Sequence, residues 1–241
     1  MLEKRTADEL QHARAVREMF SGIATKYDFL NHFLSINIDK RWRRLVSEKL
    51  KDVLDNPHAL VLDVACGTGD LSLELQKSAK AKIFGTDFCR PMLEIASGKN
   101  EKRELKIPYT EADGMNLSFA DETFDAVTIA FGLRNFSNWQ AGLRELHRVL
   151  KASGKLVILE FSTPIIPGFR QAFQFYFSSI LPRIGGAVSG SRGAYEYLPN
   201  SVTKFPDQKN LARMMSETGF ANVEYKNLTG GVAAIHTGRK F

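Results

Sequence analysis

Apolar residues follow two periods along this chain. Through residue 57 they recur at helical spacing (Val16, Met19, Phe20, Ile23 and Tyr27, then Leu45, Val46 and Leu50), and Pro57 closes the stretch. Beyond it, short apolar runs alternate with helical segments. Strands are predicted over 59–65 (ALVLDVA), 82–86, 107–112, 124–131 and 156–161 (LVILEF), and helices over 70–78, 91–99 and 139–150. Pro91 sits near the start of its helix, a favoured place. Such alternation implies βαβ units around a parallel sheet, an α/β protein.

The last third changes character. Residues 165–200 are rich in aromatics, glycine and proline. A helix over 207–218 ends at Gly219, a C-cap. VEYKNL (223–228) and VAAIHTG (232–238), joined by Thr229-Gly230-Gly231, form an antiparallel hairpin. The expected organisation is an N-terminal helical extension or lid over 1–57 and a main domain over 58–241, in which 165–200 is a substrate-covering insertion.

Composition changes this picture little. With 241 residues, 44% hydrophobic and 25% charged, the chain buries a core without staples. Two cysteines, Cys66 and Cys89, imply no disulfide framework and a reducing compartment. The charged start MLEKRTADEL has no apolar core of a secretory signal, and the longest uncharged apolar-rich stretch, 171–182, is too short to span a bilayer. A cytoplasmic protein is expected. The net charge of +6 suits anionic partners and also plain solubility.

Chemistry begins where the first strand meets Asp63-Val64-Ala65-Cys66-Gly67-Thr68-Gly69-Asp70. Glycines between a strand and a helix let a ligand approach the backbone. A P-loop requires Gly-Lys-Ser/Thr, which is absent, and a dinucleotide fingerprint requires glycine where the chain has Ser72. Asp63 and Asp70 flank the loop. Carboxylates there oppose a pyrophosphate but suit the sulfonium and ammonium of S-adenosylmethionine. Asp87 ends the second strand, where a carboxylate accepts both ribose hydroxyls. Asp113-Gly114 follow the third, where a side-chain acceptor meets the adenine amino group and a backbone N–H faces a ring nitrogen. Together they make one crevice at the carboxyl edge of the sheet.

At FSGIATKYDFLNHFLSINIDKRWR (20–43), VLDVACGTGDLSLEL (61–75), GTDFCRPML (85–93), FDAVTIAFGLRNF (124–136), ELHRVLKASGKLVILEFSTP (145–164) and LTGGVAAIHTG (228–238) the chain resembles the ubiquinone/menaquinone biosynthesis C-methyltransferases, within the class I S-adenosylmethionine-dependent methyltransferases. KYDFLN and FGLRN are the specific segments; the glycine loop is widely shared. Ala130 departs from relatives that carry a hydroxyl near the methionine end of the cofactor. The resemblance implies a Rossmann-like, seven-stranded, mostly parallel sheet with an antiparallel last strand. It assigns Thr68, Asp87, Asp113 and Gly114 to the cofactor, with Gly67 and Gly69 supplying close backbone. It also implies a prenylated quinol as substrate, with demethylmenaquinol giving menaquinol as the expected conversion.

Methyl transfer to a hydroquinone carbon needs a phenolic O–H, with a free pKa near 10, to ionise. Arg134, at the tip of the fourth strand, is expected to stabilise the phenolate, Asn135 to orient the second oxygen, and Tyr27 to relay the proton or close the lid. The alternative is that Arg134 caps the next helix or pairs with Glu160. The five histidines show no metal spacing; His147 reads as packing, and His32 is a minor candidate base. The run 165–181, with Phe169, Phe173, Phe175, Tyr176 and Phe177, suits a polyprenyl chain or peripheral membrane contact, with Arg170 and Arg183 toward headgroups; a core helix or homo-oligomer interface is the other reading. The basic cluster at 39–44 (DKRWRR) raises an RNA methyltransferase as a rival, although helical spacing favours a solvated face over a packed Trp42. A non-catalytic cofactor-binding scaffold is the second rival, opposed by Arg134 and the open glycine loop.

Overall fold

The computed structural model describes residues 5–35, 37–176 and 192–241, and the statements below concern those residues. The alternating runs form a seven-stranded sheet. Five strands are parallel: β1 (Leu60–Val64), β2 (Lys82–Asp87), β3 (Tyr109–Glu111), β4 (Phe124–Ala130) and β5 (Leu150–Phe161). The hairpin of β6 (Phe220–Leu228) and β7 (Ala233–Lys240) adds β7 antiparallel to β5, giving the order β3-β2-β1-β4-β5-β7-β6. Central strands covered on both faces read as unbroken apolar runs, as at Leu156 to Leu159.

Helices cover both faces. On one, α2 (Ile38–Lys49), α3 (Lys51–Leu54) and α4 (Asp70–Gln76) pack Trp42, Val46, Leu50, Leu71 and Leu75 against Val61, Ile83 and Val157. On the same face α5 (Arg90–Glu101) flanks β2 and β3, its Ala96 beside Gly69 and Tyr109, while on the other face α6 (Trp139–Val149) packs Leu143 and Leu146 against Leu62, Val127 and Ile129. Asn138 caps α6 by accepting from the Ala141 N–H at 3.0 Å. β5 begins directly after α6, six residues earlier than the LVILEF run suggested.

Three further helices border the carboxyl edge or the far end of the sheet: α1 (Ala7–Leu34), α7 (Pro167–Phe175) and α8 (Arg192–Lys204). α9 (Gln208–Thr218) is capped by Asp207 and stopped by Gly219 in the left-handed region at φ 108°. The N-terminal stretch is not uniform: α2 and α3 belong to the main core, whereas α1 lies beside α5 and α8. Ile23 of α1 gathers Met19, Phe20, Tyr27, Phe173, Tyr176, Leu198 and Val202 into a separate apolar cluster. Phe177 and Arg183 lie outside the described residues.

Candidate active site

The chain order reverses between β1 and β4, and at such a switch point the loops leaving neighbouring strands diverge and open a crevice. The cavity found there holds about 990 Å³ free of protein atoms, part of it open to solvent. Gly67, Thr68, Asp87, Asp113, Gly114, Asn135 and Tyr27 all border it. Gly69 and Arg134 are not among its lining residues.

The backbone is bent hard at both strand tips. Ala65 after β1 and Phe131 after β4 have φ of 52° and 56°, a conformation side chains disfavour. Gly132 lies between them, and a Cβ there would come within 2.6 Å of the Ala65 Cβ. Gly67, at φ 55° with open space at its Cβ position, is the loop glycine that leaves backbone approachable. Gly69 instead starts α4, and its missing Cβ makes room for the Tyr109 hydroxyl.

Asp87 accepts from the N–H groups of Gly67 and Cys89, each at 2.8 Å. Burial outweighs these bonds and pushes its carboxyl up to about 6. Asp63 is wholly buried, takes the hydroxyls of Ser72 (2.6 Å) and Thr128 (3.1 Å), and is raised by burial to about 7. The serine that breaks the dinucleotide fingerprint therefore satisfies a buried acid. Burial also opposes ionisation of Asp113, but bonds from Arg5 and the Met115 N–H prevail and hold it below its ordinary value. The Arg5–Asp113 contact is 2.6 Å, and Arg5 Nη2 is buried with no hydrogen-bond partner. Asp113 is thus engaged more fully by protein than the sequence suggests, and the donor left at this end is Arg5.

Thr68 donates to Asp28 of α1, while Lys99 of α5 reaches Thr68 (3.1 Å), Asp70 (2.6 Å) and Asp28 (2.5 Å). This cluster fastens α1 to the glycine loop. Arg17–Glu111, Glu9–Asn138 and His12–Asn135 add further ties along α1. The cavity wall carries Asp63, Asp70, Asp87 and Asp113 against Arg5 and Arg43, so acids predominate but are not alone. Arg43 lies over the Phe131 ring and pairs with Asp39. Arg5, Asp28 and Lys99 went unread in the sequence, and Arg43, read as part of a solvated basic face, is buried instead; its spacing of four from Asp39 was the available signal. With Trp42 and Arg43 turned inward, the basic cluster loses much of the surface that RNA would meet.

Arg134 is the main departure. It is buried behind the wall, with Nη1 3.0 Å from Glu160 of β5 and the guanidinium 5.4 Å from the centre of the Phe161 ring. A strand-tip cation and a buried carboxylate on the adjacent strand neutralise each other, the pairing that stood as the alternative reading of Arg134. Asn135 does border the cavity. His147 packs edge-on against Phe220, as read, and no side-chain geometry is described for His32.

A glycine loop with open backbone, an acid at the end of β2 to accept hydroxyls, and a cavity wall dominated by carboxylates fit S-adenosylmethionine. The fold and site define a class I S-adenosylmethionine-dependent methyltransferase. An S-adenosylmethionine-dependent methyltransferase from Thermotoga maritima matches the fold with a TM-score of 0.63 at 17% identity, over 93% of this chain and 99% of that one. The sequence model of the ubiE/COQ5 methyltransferase family matches residues 7–240, and the chain belongs to that family. The demethylmenaquinone methyltransferase of Thermus thermophilus is 48% identical over 221 residues, 91% of this chain and 99% of that protein. The ubiquinone/menaquinone biosynthesis C-methyltransferase UbiE of Geobacter sp. (strain M21) is 45% identical over 229 residues, 93% and 96% of the two chains.

Proposed function

We propose that this enzyme methylates a ring carbon of a prenylated quinol, converting demethylmenaquinol to menaquinol. The observation that carries this reading is a cavity with two characters. Its strand-tip side is polar and acidic; its roof is Phe20 and Tyr27 of α1, continuous with the apolar cluster that includes Phe173, Leu198 and Val202. A polar headgroup with a greasy tail matches both sides.

When bound, S-adenosylmethionine supplies an electrophilic methyl group on sulfur. Asp87 would hold its ribose hydroxyls, the Gly67 backbone its close approach, and Arg5 with Asp113 and Gly114 its base. Asn135, fixed at the cavity wall, donates to a quinol oxygen and favours its ionised form, which places electron density on the neighbouring carbon. Tyr27, from the roof, keeps water from that ring. Arg134 supports the turn that carries Asn135 and does not itself face the ring.

Ile165, Ile166, Phe169 and Phe175 are exposed at 60, 53, 39 and 64%, with Arg170 exposed among them. This patch faces the surface of a membrane that holds the substrate. Among the described residues no helix is long and apolar enough to cross a membrane.

Purified protein incubated with labelled S-adenosylmethionine and chemically reduced demethylmenaquinone tests the reading, with a benzoquinol analogue and RNA as parallel acceptors. Label in menaquinol alone supports it. Label in RNA, or none in any quinol, refutes it.

A further inference from the structure

We infer that Tyr197 is a positioning residue that fixes the Asn135 carboxamide with its N–H toward the substrate oxygen, so that the site binds that oxygen ionised. The inference rests on the quinol reading and names a residue that reading did not use.

The orientation follows from valence. Asn135 faces the Phe131 carbonyl at 3.3 Å, and a carbonyl can only accept, so the atom there is Nδ2. Oδ1 is then the atom 3.2 Å from the Tyr197 hydroxyl, which donates to it. Of the two amide hydrogens one goes to Phe131, and the other is left for the cavity that Asn135 borders. The backbone is held as well: the Asn135 N–H donates to the Gly132 carbonyl at 3.1 Å, and its own carbonyl meets His12 Nε2 at 3.2 Å.

At Asn135 the wall presents an amide N–H where a turned amide would present its oxygen, and a donor at that point favours a phenolate over a phenol. Tyr197 comes from α8, which packs on both α1 and the 133–135 turn. The charged and titratable groups facing this pair are Arg134 of the turn, Glu160 of β5 and His12 of α1. Burial, the largest influence, and Glu160 raise the Tyr197 hydroxyl against the opposing effect of Arg134, so it stays protonated and donates throughout the neutral range.

Tyr197→Phe removes the hydroxyl and little else, freeing the amide to turn its oxygen inward. The expected result is a rising limb of the kcat–pH profile displaced upward by on the order of one pH unit, a kcat near pH 7 about tenfold lower, and an unchanged KM for S-adenosylmethionine. In an Asn135→Ala background the same substitution should leave the profile where it is. A turnover-free measurement uses 1-naphthol, whose neutral and ionised forms absorb differently; its bound pKa should lie lower on wild type than on Tyr197→Phe. Unmoved midpoints in both measurements, or a fall in kcat with no shift, would overturn the inference. A naphthol shift in a wild type that does not methylate the quinol would dismiss the substrate and keep the role of Tyr197.

Discussion

Replacing Arg134 with methionine separates its structural role from a catalytic one. Methionine keeps length and apolar bulk but strips the cation from Glu160, which is 1% exposed. Two unit charges 3.0 Å apart attract by about 5.5 kcal/mol at an effective dielectric of 20. Breaking a buried pair from one side typically costs about 3–5 kcal/mol, because the remaining ion is stranded. With a denaturant slope of about 2 kcal/mol per molar, the urea midpoint should fall by about 1.5–2.5 M. Burial already holds the Glu160 carboxyl above its ordinary value, with Arg134 opposing. Loss of the cation raises it further in the folded state only. The folded chain then keeps a proton that the unfolded chain has released, so stability falls as pH rises between the two values. The deficit relative to wild type should therefore be smaller at pH 5 than at pH 7.5, and Arg134→Met/Glu160→Gln should recover most of it. Urea melts of the three proteins at both pH values decide the matter. A single variant that melts like wild type yet has lost turnover would refute this reasoning and return Arg134 to the reacting centre.

Because Asp87 must be ionised to accept two hydroxyls and sits at about 6, donor affinity should weaken as pH falls through that value; in Asp87→Asn, calorimetry should find weak binding with the pH dependence gone. A Cβ at Gly114 would lie 2.3 Å from Phe136 Cζ, so Gly114→Ala should lose about 1–3 kcal/mol in thermal or urea melts, and an unchanged melt would show that Phe136 yields freely. Phe169→Ser/Phe175→Ser should reduce co-sedimentation with anionic phospholipid vesicles while turnover on a short-tailed quinol is kept; equal sedimentation would remove the membrane face.

The parallel core and the hairpin were legible because each strand is a contiguous run with its own period, and Gly219 and Pro91 mark helix ends by local conformation. The acids at the ends of β1, β2 and β3 were legible because topology alone brings strand ends together. The partners of those acids were not. Arg5, Asp28, Lys99 and Tyr197 reach the site from elements distant in sequence, and nothing in their own neighbourhoods distinguishes them from solvated residues. Arg134 was half legible: pairing with Glu160 stood as an alternative beside phenolate stabilisation, and only the adjacency of β4 and β5 brings that pair together. Ranges slipped where propensity and tertiary context disagree, as at Leu150, which passes from helix into β5 without a break.

Phe131 is asked to satisfy two incompatible demands. Its torsion would suit glycine, at a saving of about 1–3 kcal/mol, yet its ring stacks 4.7 Å from Phe161, lies 6.1 Å from Trp42 and underlies Arg43 at the cavity wall. Truncating the ring would cost about 3–5 kcal/mol of packing, more than the torsion returns, so the strain at this turn is held in place by the aromatic cluster. Phe131→Gly should therefore melt lower than wild type despite freeing the backbone, and the left-handed turn at this cavity wall is a conformation that tertiary packing imposes on a residue whose own torsional preference opposes it.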